Sequence, residues 1–144
     1  MTDNNPKAVV LEMIERYNSP TGWWRQQELC SDDIVLEFAA TPQAPASSIV
    51  GKVQQRARMD QVAAMFRDWC LDAHEVIADG ERVAYRYTWV GTTTMAFGDT
   101  PPGARLRMDG SNFLTVRDGL IVRITDVAGP ILLEGAAEKE GGPL

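Results

Sequence analysis

The chain has little of what metal-binding and disulfide-bonded proteins need. Its 144 residues include one histidine and two cysteines, Cys30 and Cys70, which share no metal-binding or redox spacing. A zinc site requires three or four convergent nitrogen or sulfur ligands. We therefore expect no metal site and two unpaired, packed thiols.

Basic residues and long apolar runs are also scarce. Lys and Arg number 14 against 20 Asp and Glu, for a formal net charge of −6. This balance argues against nucleic-acid binding, because affinity for phosphate backbones rests on clustered basic residues. No apolar run approaches the roughly 20 residues of a membrane span, and the polar start at residues 2–5 does not resemble a signal peptide. We expect a cytoplasmic protein without membrane association.

The rest of the composition is that of an ordinary globular domain. Hydrophobic residues make up 44% and charged residues 24% of the chain. Its length suffices for one core without disulfides. We predict a single domain over residues 1–130, followed by a flexible tail over residues 131–144.

Helices are predicted in the first half of the chain. Asn5 and Pro6 form a cap followed by proline at the first helical position. Apolar residues at spacings of three and four then predict a helix to about residue 18. A shorter helix is predicted over residues 19–29, and a long one over residues 52–69.

Strands are predicted mainly in the second half. At residues 82–90 a large side chain stands at every second position, which only a strand places on one face. Asp118-Gly119 suits a two-residue hairpin turn, and Asp79-Gly80 is expected to form another. The predicted strands are 34–38, 71–78, 82–90, 110–116 and 120–127. The pattern predicts an α+β fold: a curved, mainly antiparallel sheet wrapped around the N-terminal helices and one long helix, with an internal pocket.

The two hairpins predict which side chains share a face. Counting outward from the Asp118-Gly119 turn pairs residue 111 with residue 126. Directly paired residues lie on one face, so Ser111 and Asp126 are predicted to face the same way. Leu106 and Met108 have the opposite parity, so we expect a bulge at Gly110. The residues predicted to face the pocket are His74, Tyr85, Tyr87, Trp89, Ser111, Phe113, Ile124 and Asp126.

An apolar pocket with a few polar groups is typical of a small-molecule site. Burial there would raise the pKa of Asp126 and suit it to acid/base catalysis, with His74 or a tyrosine polarising an oxygen. Asp126 could instead be a solvated strand-end residue, and His74 a hydrogen-bonded rim residue. Tyr17 could donate a hydrogen bond into the cavity. Trp24 could line the cavity or meet a partner.

Several motifs then resemble a known family. They are residues 89–98, the Pro-Pro-Gly at 101–103, Val116 to Val122, and Thr125-Asp126-Val127. This pattern resembles the SnoaL-like polyketide cyclase and ester cyclase group of the NTF2-like superfamily. The resemblance implies a cone-shaped, often dimeric α+β protein that acts on hydrophobic small molecules of secondary metabolism without metal or organic cofactor. One aspartate serves as acid/base in an aldol closure, and the matching position is Asp126.

The chain also departs from its relatives. Ile124 and Thr125 replace the family's His and Trp before that aspartate. The second aspartate of limonene epoxide hydrolases falls on Ala84. The positions of the catalytic base and of the oxyanion-hole acid of ketosteroid isomerases correspond to Phe38 and Ser111 in this chain. Cyclisation or isomerisation is therefore the leading prediction, and epoxide opening or non-catalytic binding as a carrier or accessory subunit are the alternatives.

Overall fold

The computed structural model describes residues 5–134 and contains two α-helices, one 3-10 helix and seven strands. The elements in chain order are α1 (Pro6–Tyr17), the 3-10 helix (Trp23–Leu29), β1 (Cys30–Phe38), β2 (Ser47–Val50), α2 (Lys52–Met65), β3 (Phe66–Asp79), β4 (Arg82–Thr93), β5 (Arg105–Arg117), β6 (Leu120–Ala128) and β7 (Leu132–Leu133).

One curved sheet carries the fold. Its strand order is β2-β1-β6-β5-β4-β3, and β7 pairs with β5. All pairs are antiparallel except β1 with β6, which run parallel. The helices cover one face, which we call the inner face, where Val10 of α1 and Ile34 and Ile121 of the sheet are fully buried. The predicted α+β class with a curved sheet around helices is confirmed.

Helix α1 is fixed at both ends. Asn5 Oδ1 accepts a hydrogen bond from the Ala8 amide at 3.2 Å, and Pro6 occupies the first helical position, as predicted. At the other end Asn18 bonds to both backbone groups of Leu71 in β3: its Oδ1 accepts from the amide at 2.8 Å and its Nδ2 donates to the carbonyl at 2.9 Å. This double contact holds Tyr17, the last residue of α1, against the sheet.

The predicted helix over residues 52–69 is wrong at its C-terminal end, because α2 stops at Met65 and Phe66 begins β3. Two register shifts interrupt β3, one after Arg67 and one after His74. At these shifts Asp68 and Glu75 both have φ of 53°. Each bulge adds one residue between successive inward-facing positions. The resulting spacing of three from Phe66 to Trp69 imitates a helix in the sequence.

Other boundaries shift as well. The loop expected over residues 41–48 gives way to β2 at Ser47, and β4 extends to Thr93. The tail, predicted to be flexible from residue 131, first forms β7, in which Leu132 and Leu133 pair with β5; residues 135–144 lie outside the described part. Both cysteines are free, Cys30 buried and Cys70 exposed, so the packing expected of the second thiol is wrong. Within residues 5–134 no helix combines the length and apolarity that a membrane crossing requires.

Candidate active site

Three aromatic side chains of β4 line the inner face. Tyr85, Tyr87 and Trp89 are 3%, 3% and 6% exposed. Their partners on β5 are Asn112, Gly110 and Met108. The alternation predicted for β4 is therefore confirmed, and it places two tyrosine hydroxyls and one indole N–H inside the sheet.

A bulge in β6 decides what stands beside these aromatic residues. Arg117 pairs with Leu120 across the predicted Asp118-Gly119 turn, but the register shifts between Thr115 and Val116, so that Val122 has no direct partner. The shift moves Asp126 opposite Asn112, one residue away from the predicted partner Ser111. Asp126 thus shares the inner face with Asn112, Tyr85 and Tyr87.

Asp126 is held through one of its oxygens. The hydroxyl of Tyr87 donates to Asp126 Oδ1 at 2.7 Å. The amide of Asn112 lies 2.8 Å from both Asp126 Oδ1 and Tyr85 Oη. In the orientation that satisfies both neighbours, its nitrogen donates to the carboxylate and its oxygen accepts from Tyr85. Side chains of β4 and β5 thus hold one oxygen of a carboxyl group on β6.

The second oxygen of Asp126 is open. Oδ2 forms no hydrogen bond with any residue in the range 5–134. It is also not fully buried, so another molecule can reach it. Burial raises the pKa of this carboxyl above its usual 3.8, against the lowering effect of the Tyr87 hydrogen bond and of the Arg58 charge. A fixed carboxyl with a raised pKa and one free oxygen is suited to taking up and returning a proton near neutral pH.

Tyr17 supplies a further hydroxyl on this face. Trp89 Nε1 donates to Tyr17 Oη at 2.9 Å, which leaves the Tyr17 proton available to another acceptor. Burial raises the pKa of Tyr17 and Tyr87, and it raises the pKa of Tyr85 to about 12. All three tyrosines are therefore protonated hydrogen-bond donors at neutral pH.

Gly110 makes room for the contact between Tyr87 and Asp126. A Cβ at this position would lie 2.5 Å from Tyr87 Oη and 2.6 Å from Tyr87 Cζ. Real Cβ contacts are essentially never that short. The Tyr87 ring therefore lies across the backbone of β5 where only glycine leaves space.

The predicted convergence of His74 on Asp126 is wrong. The bulge at Glu75 reverses the parity of the preceding residues, so His74 pairs with Arg86 on the outer face. There its Nε2 lies 3.2 Å from Thr88 Oγ1, beside an open groove of about 590 Å³. The hairpin turn also lies one residue later than predicted, since Asp79 pairs with Arg82.

Two more predicted neighbours of Asp126 lie outside. The β4–β5 register runs unshifted through Gly110, so the bulge expected there is absent, and Ser111 and Phe113 fall on the outer face. Phe113 is 53% exposed. The homodimer implied by the resemblance stays a prediction, for which this face offers apolar side chains. Trp24 is 39% exposed and contacts Trp23 edge-on, with ring centroids 5.6 Å apart.

Sequence reasoning missed Asn112 and Arg58. The even-numbered alternation from Leu106 to Val116 could have identified Asn112, since both of those residues are buried. Ile124, on the same face as Asp126, was predicted correctly. No group of three or more His, Cys, Asp or Glu side chains within residues 5–134 is arranged to hold a metal ion.

Comparison with known proteins identifies the family of the chain. The SnoaL-like domain family matches residues 10–124, most of the chain. The protein belongs to the SnoaL-like family. No curated protein is significantly similar to it in sequence.

Solved structures show the same fold. The chain is similar to wild-type IdmH of Streptomyces antibioticus, described as a proposed polyketide cyclase, with 24% identity, coverage of 86% of this chain and 91% of that chain, and a TM-score of 0.71. It is also similar to AclR of Streptomyces galilaeus, described as a proposed hydroxylase, with 23% identity, coverage of 97% of this chain and 98% of that chain, and a TM-score of 0.69. A third similar structure is a proposed ketosteroid isomerase of Kribbella flavida, with 25% identity, coverage of 85% of this chain and 76% of that chain, and a TM-score of 0.58. The SnoaL-like fold with its NTF2-like cone is thus established for this chain.

Proposed function

We propose that this SnoaL-like protein is an acid/base enzyme that cyclises or isomerises a hydrophobic carbonyl compound of secondary metabolism. The observation that supports it most is the state of Asp126: one oxygen is held by Tyr87 and Asn112, and the other is open beside buried aromatic side chains. A carboxylate in this setting can remove a proton from a carbon next to a carbonyl group.

The proposed reaction begins at Asp126 Oδ2. This oxygen takes the proton, and the electron pair of the broken C–H bond forms an enolate. Tyr17, whose own proton is free, donates a hydrogen bond to the enolate oxygen. In a cyclisation the enolate carbon attacks a second carbonyl of the same molecule, and the new alkoxide receives the proton back from Asp126. In an isomerisation the proton returns to a different carbon.

Proton exchange on a simple ketone tests this proposal without the natural substrate. We expect the protein in D2O to accelerate exchange of the C2 protons of 1-tetralone, followed by proton NMR. Asp126→Asn should slow the catalysed exchange by about 100-fold or more, since positioned acid/base groups contribute on that order. Its affinity for 1-tetralone should stay nearly unchanged. Asp109→Asn, a carboxylate on the outer face of β5, is the matched control and should exchange like wild type.

Full exchange activity in Asp126→Asn would contradict the assignment of the base. The second candidate is a non-catalytic small-molecule carrier or accessory subunit. Binding of 1-tetralone by the wild-type protein without any acceleration of exchange would favour that candidate. The hydrogen bond between Tyr87 and Asp126 supports the enzyme, because a pure binding wall has no need of a fixed, buried carboxyl.

A further inference from the structure

Arg58 lies at the edge of the site on helix α2. Its guanidinium carbon is 4.4 Å from the centroid of the Phe38 ring, which places the cation over the face of that ring. Phe38 is in turn the direct partner of Asp126 across the parallel β1–β6 pair. Because paired residues on neighbouring strands share a face, Phe38 and Asp126 stand side by side on the inner face. The Arg58 cation therefore lies over the residue that neighbours Asp126 on the sheet.

Arg58 differs from Arg56 in having no anionic partner within the part of the chain that the structure describes. Arg56, on the same helix, also lies over an aromatic ring, that of Trp23 at 5.7 Å, but its Nε is paired with Asp60 at 2.9 Å. Arg58 makes no ion pair and no hydrogen bond with any residue between 5 and 134. Its charge nevertheless reaches the site: burial raises the pKa of Tyr17 and of Asp126, and the Arg58 charge offsets a small part of each rise. Among the described residues, nothing occupies the planar fork of N–H donors, which lies over Phe38, the strand partner of Asp126.

We propose that Arg58 is a specificity-determining residue that binds an anionic oxygen, such as a carboxylate, on the ligand of this site. The inference rests on the proposed function only in placing that ligand next to Asp126. Guanidinium groups bind carboxylates through two parallel N–H···O bonds, which fix orientation as well as adding affinity. Such an anchor would hold one end of an apolar molecule while Asp126 meets its other carbons.

A matched pair of probes tests the proposal. The probes are 2-naphthoate and 2-naphthamide, which share the ring system and differ in the charge of one group; affinity is measured by quenching of tryptophan fluorescence. We expect wild type to bind 2-naphthoate about tenfold more tightly than 2-naphthamide, as a charge-assisted contact would give. Arg58→Gln should bring the ratio close to one by weakening 2-naphthoate binding alone. Arg56→Gln makes the same change of net charge on the same helix and should keep the wild-type ratio.

Equal binding of the two probes by wild type, absence of binding by both, or an unchanged ratio in Arg58→Gln would overturn the proposal. An equal loss in Arg56→Gln would also overturn it, because the effect would then be one of general charge. Arg58→Lys keeps the charge but loses the fork, and it should retain only part of the preference. Asp126→Asn separates the two claims: it should keep the preference for 2-naphthoate while losing exchange of 1-tetralone. A failure of one result leaves the other standing.

Discussion

Replacing Gly110 by alanine should uncouple Tyr87 from Asp126. The added Cβ would lie 2.5 Å from Tyr87 Oη, whereas ordinary van der Waals contact begins at 3.4 Å, so the hydroxyl must move by about 0.9 Å (3.4 − 2.5). The hydrogen bond to Asp126 is now 2.7 Å, and we expect a displacement of that size to break it. The carbonyl oxygen of Val127 would be only 2.9 Å from the new carbon, which limits movement of the backbone instead.

The expected cost is large for so small a change. Overpacking costs about 1–3 kcal/mol, and loss of a hydrogen bond to a charged group costs about 1.5–3 kcal/mol. Because relaxation reduces both, we expect Gly110→Ala to lower the free energy of unfolding by about 2–3 kcal/mol. The sign is diagnostic, since alanine in a strand interior normally stabilises by roughly 0.5–1 kcal/mol over glycine. Gly110 is not among the described glycines with positive φ, so the cost is steric.

Urea unfolding of a double-mutant cycle measures this effect. Tyr87→Phe has already lost the hydrogen bond to Asp126, although its Cζ would still lie 2.6 Å from the new Cβ. Only the steric part of the cost then remains, so Gly110→Ala should cost about half as much in that background. Gly22→Ala is the control, because its Cβ would meet Ser19 Oγ at an ordinary 3.5 Å, and it should change stability by less than about 0.5 kcal/mol. Additive costs in the cycle would refute the claim that the added Cβ breaks the hydrogen bond between Tyr87 and Asp126, and a stabilising Gly110→Ala would refute the steric argument.

Two further predictions concern the support of the site. Asn18→Ala removes both hydrogen bonds to Leu71 and should lower the free energy of unfolding in urea by about 1–3 kcal/mol; wild-type stability would mean that this contact does not fix α1. Burial raises the pKa of Asp126 above 3.8, so the folded state binds its proton more tightly than the unfolded state, and stability falls as pH rises from 3.8 through the raised pKa. Unfolding curves between pH 3.5 and pH 7 should show wild type losing stability relative to Asp126→Asn, and parallel pH profiles would contradict the raised pKa.

The sequence predicted the elements of this fold better than their registers. Periodicity located α1 and β4, and turn chemistry located the Asp118-Gly119 hairpin, because each depends on local residue preferences. Pairing counted from a hairpin stays valid only as far as the first bulge. The bulge at Glu75 contains no glycine or proline that could have predicted it from the sequence, yet it moves His74 to the outer face. The position of a bulge depends on the curvature of the whole sheet, which local residues do not specify.

The site was predicted in part for the same reason. Asp126 and the β4 aromatics were correctly placed on one face, but the bulge at Val122 exchanged Ser111 for Asn112 as the partner of the carboxyl. The apolar residues Leu106 and Met108 already indicated that even-numbered residues of β5 face inward. The bulge expected at Gly110 led us to place odd-numbered residues inward beyond it. Arg58 could not be found at all, since its position over Phe38 depends on how α2 packs on β1.

Titration of the Asp126 carboxyl is the most direct test of the central claim that an acid/base group lies on the inner face. Carbon-13 NMR of aspartate-labelled protein, with Asp126→Asn to assign the signal, gives the pKa in the intact fold. We predict a midpoint above 3.8, which rises further in Tyr87→Phe because the Tyr87 hydrogen bond lowers it. A midpoint at or below 3.8 that does not change in Tyr87→Phe would show a solvated carboxylate and contradict the account.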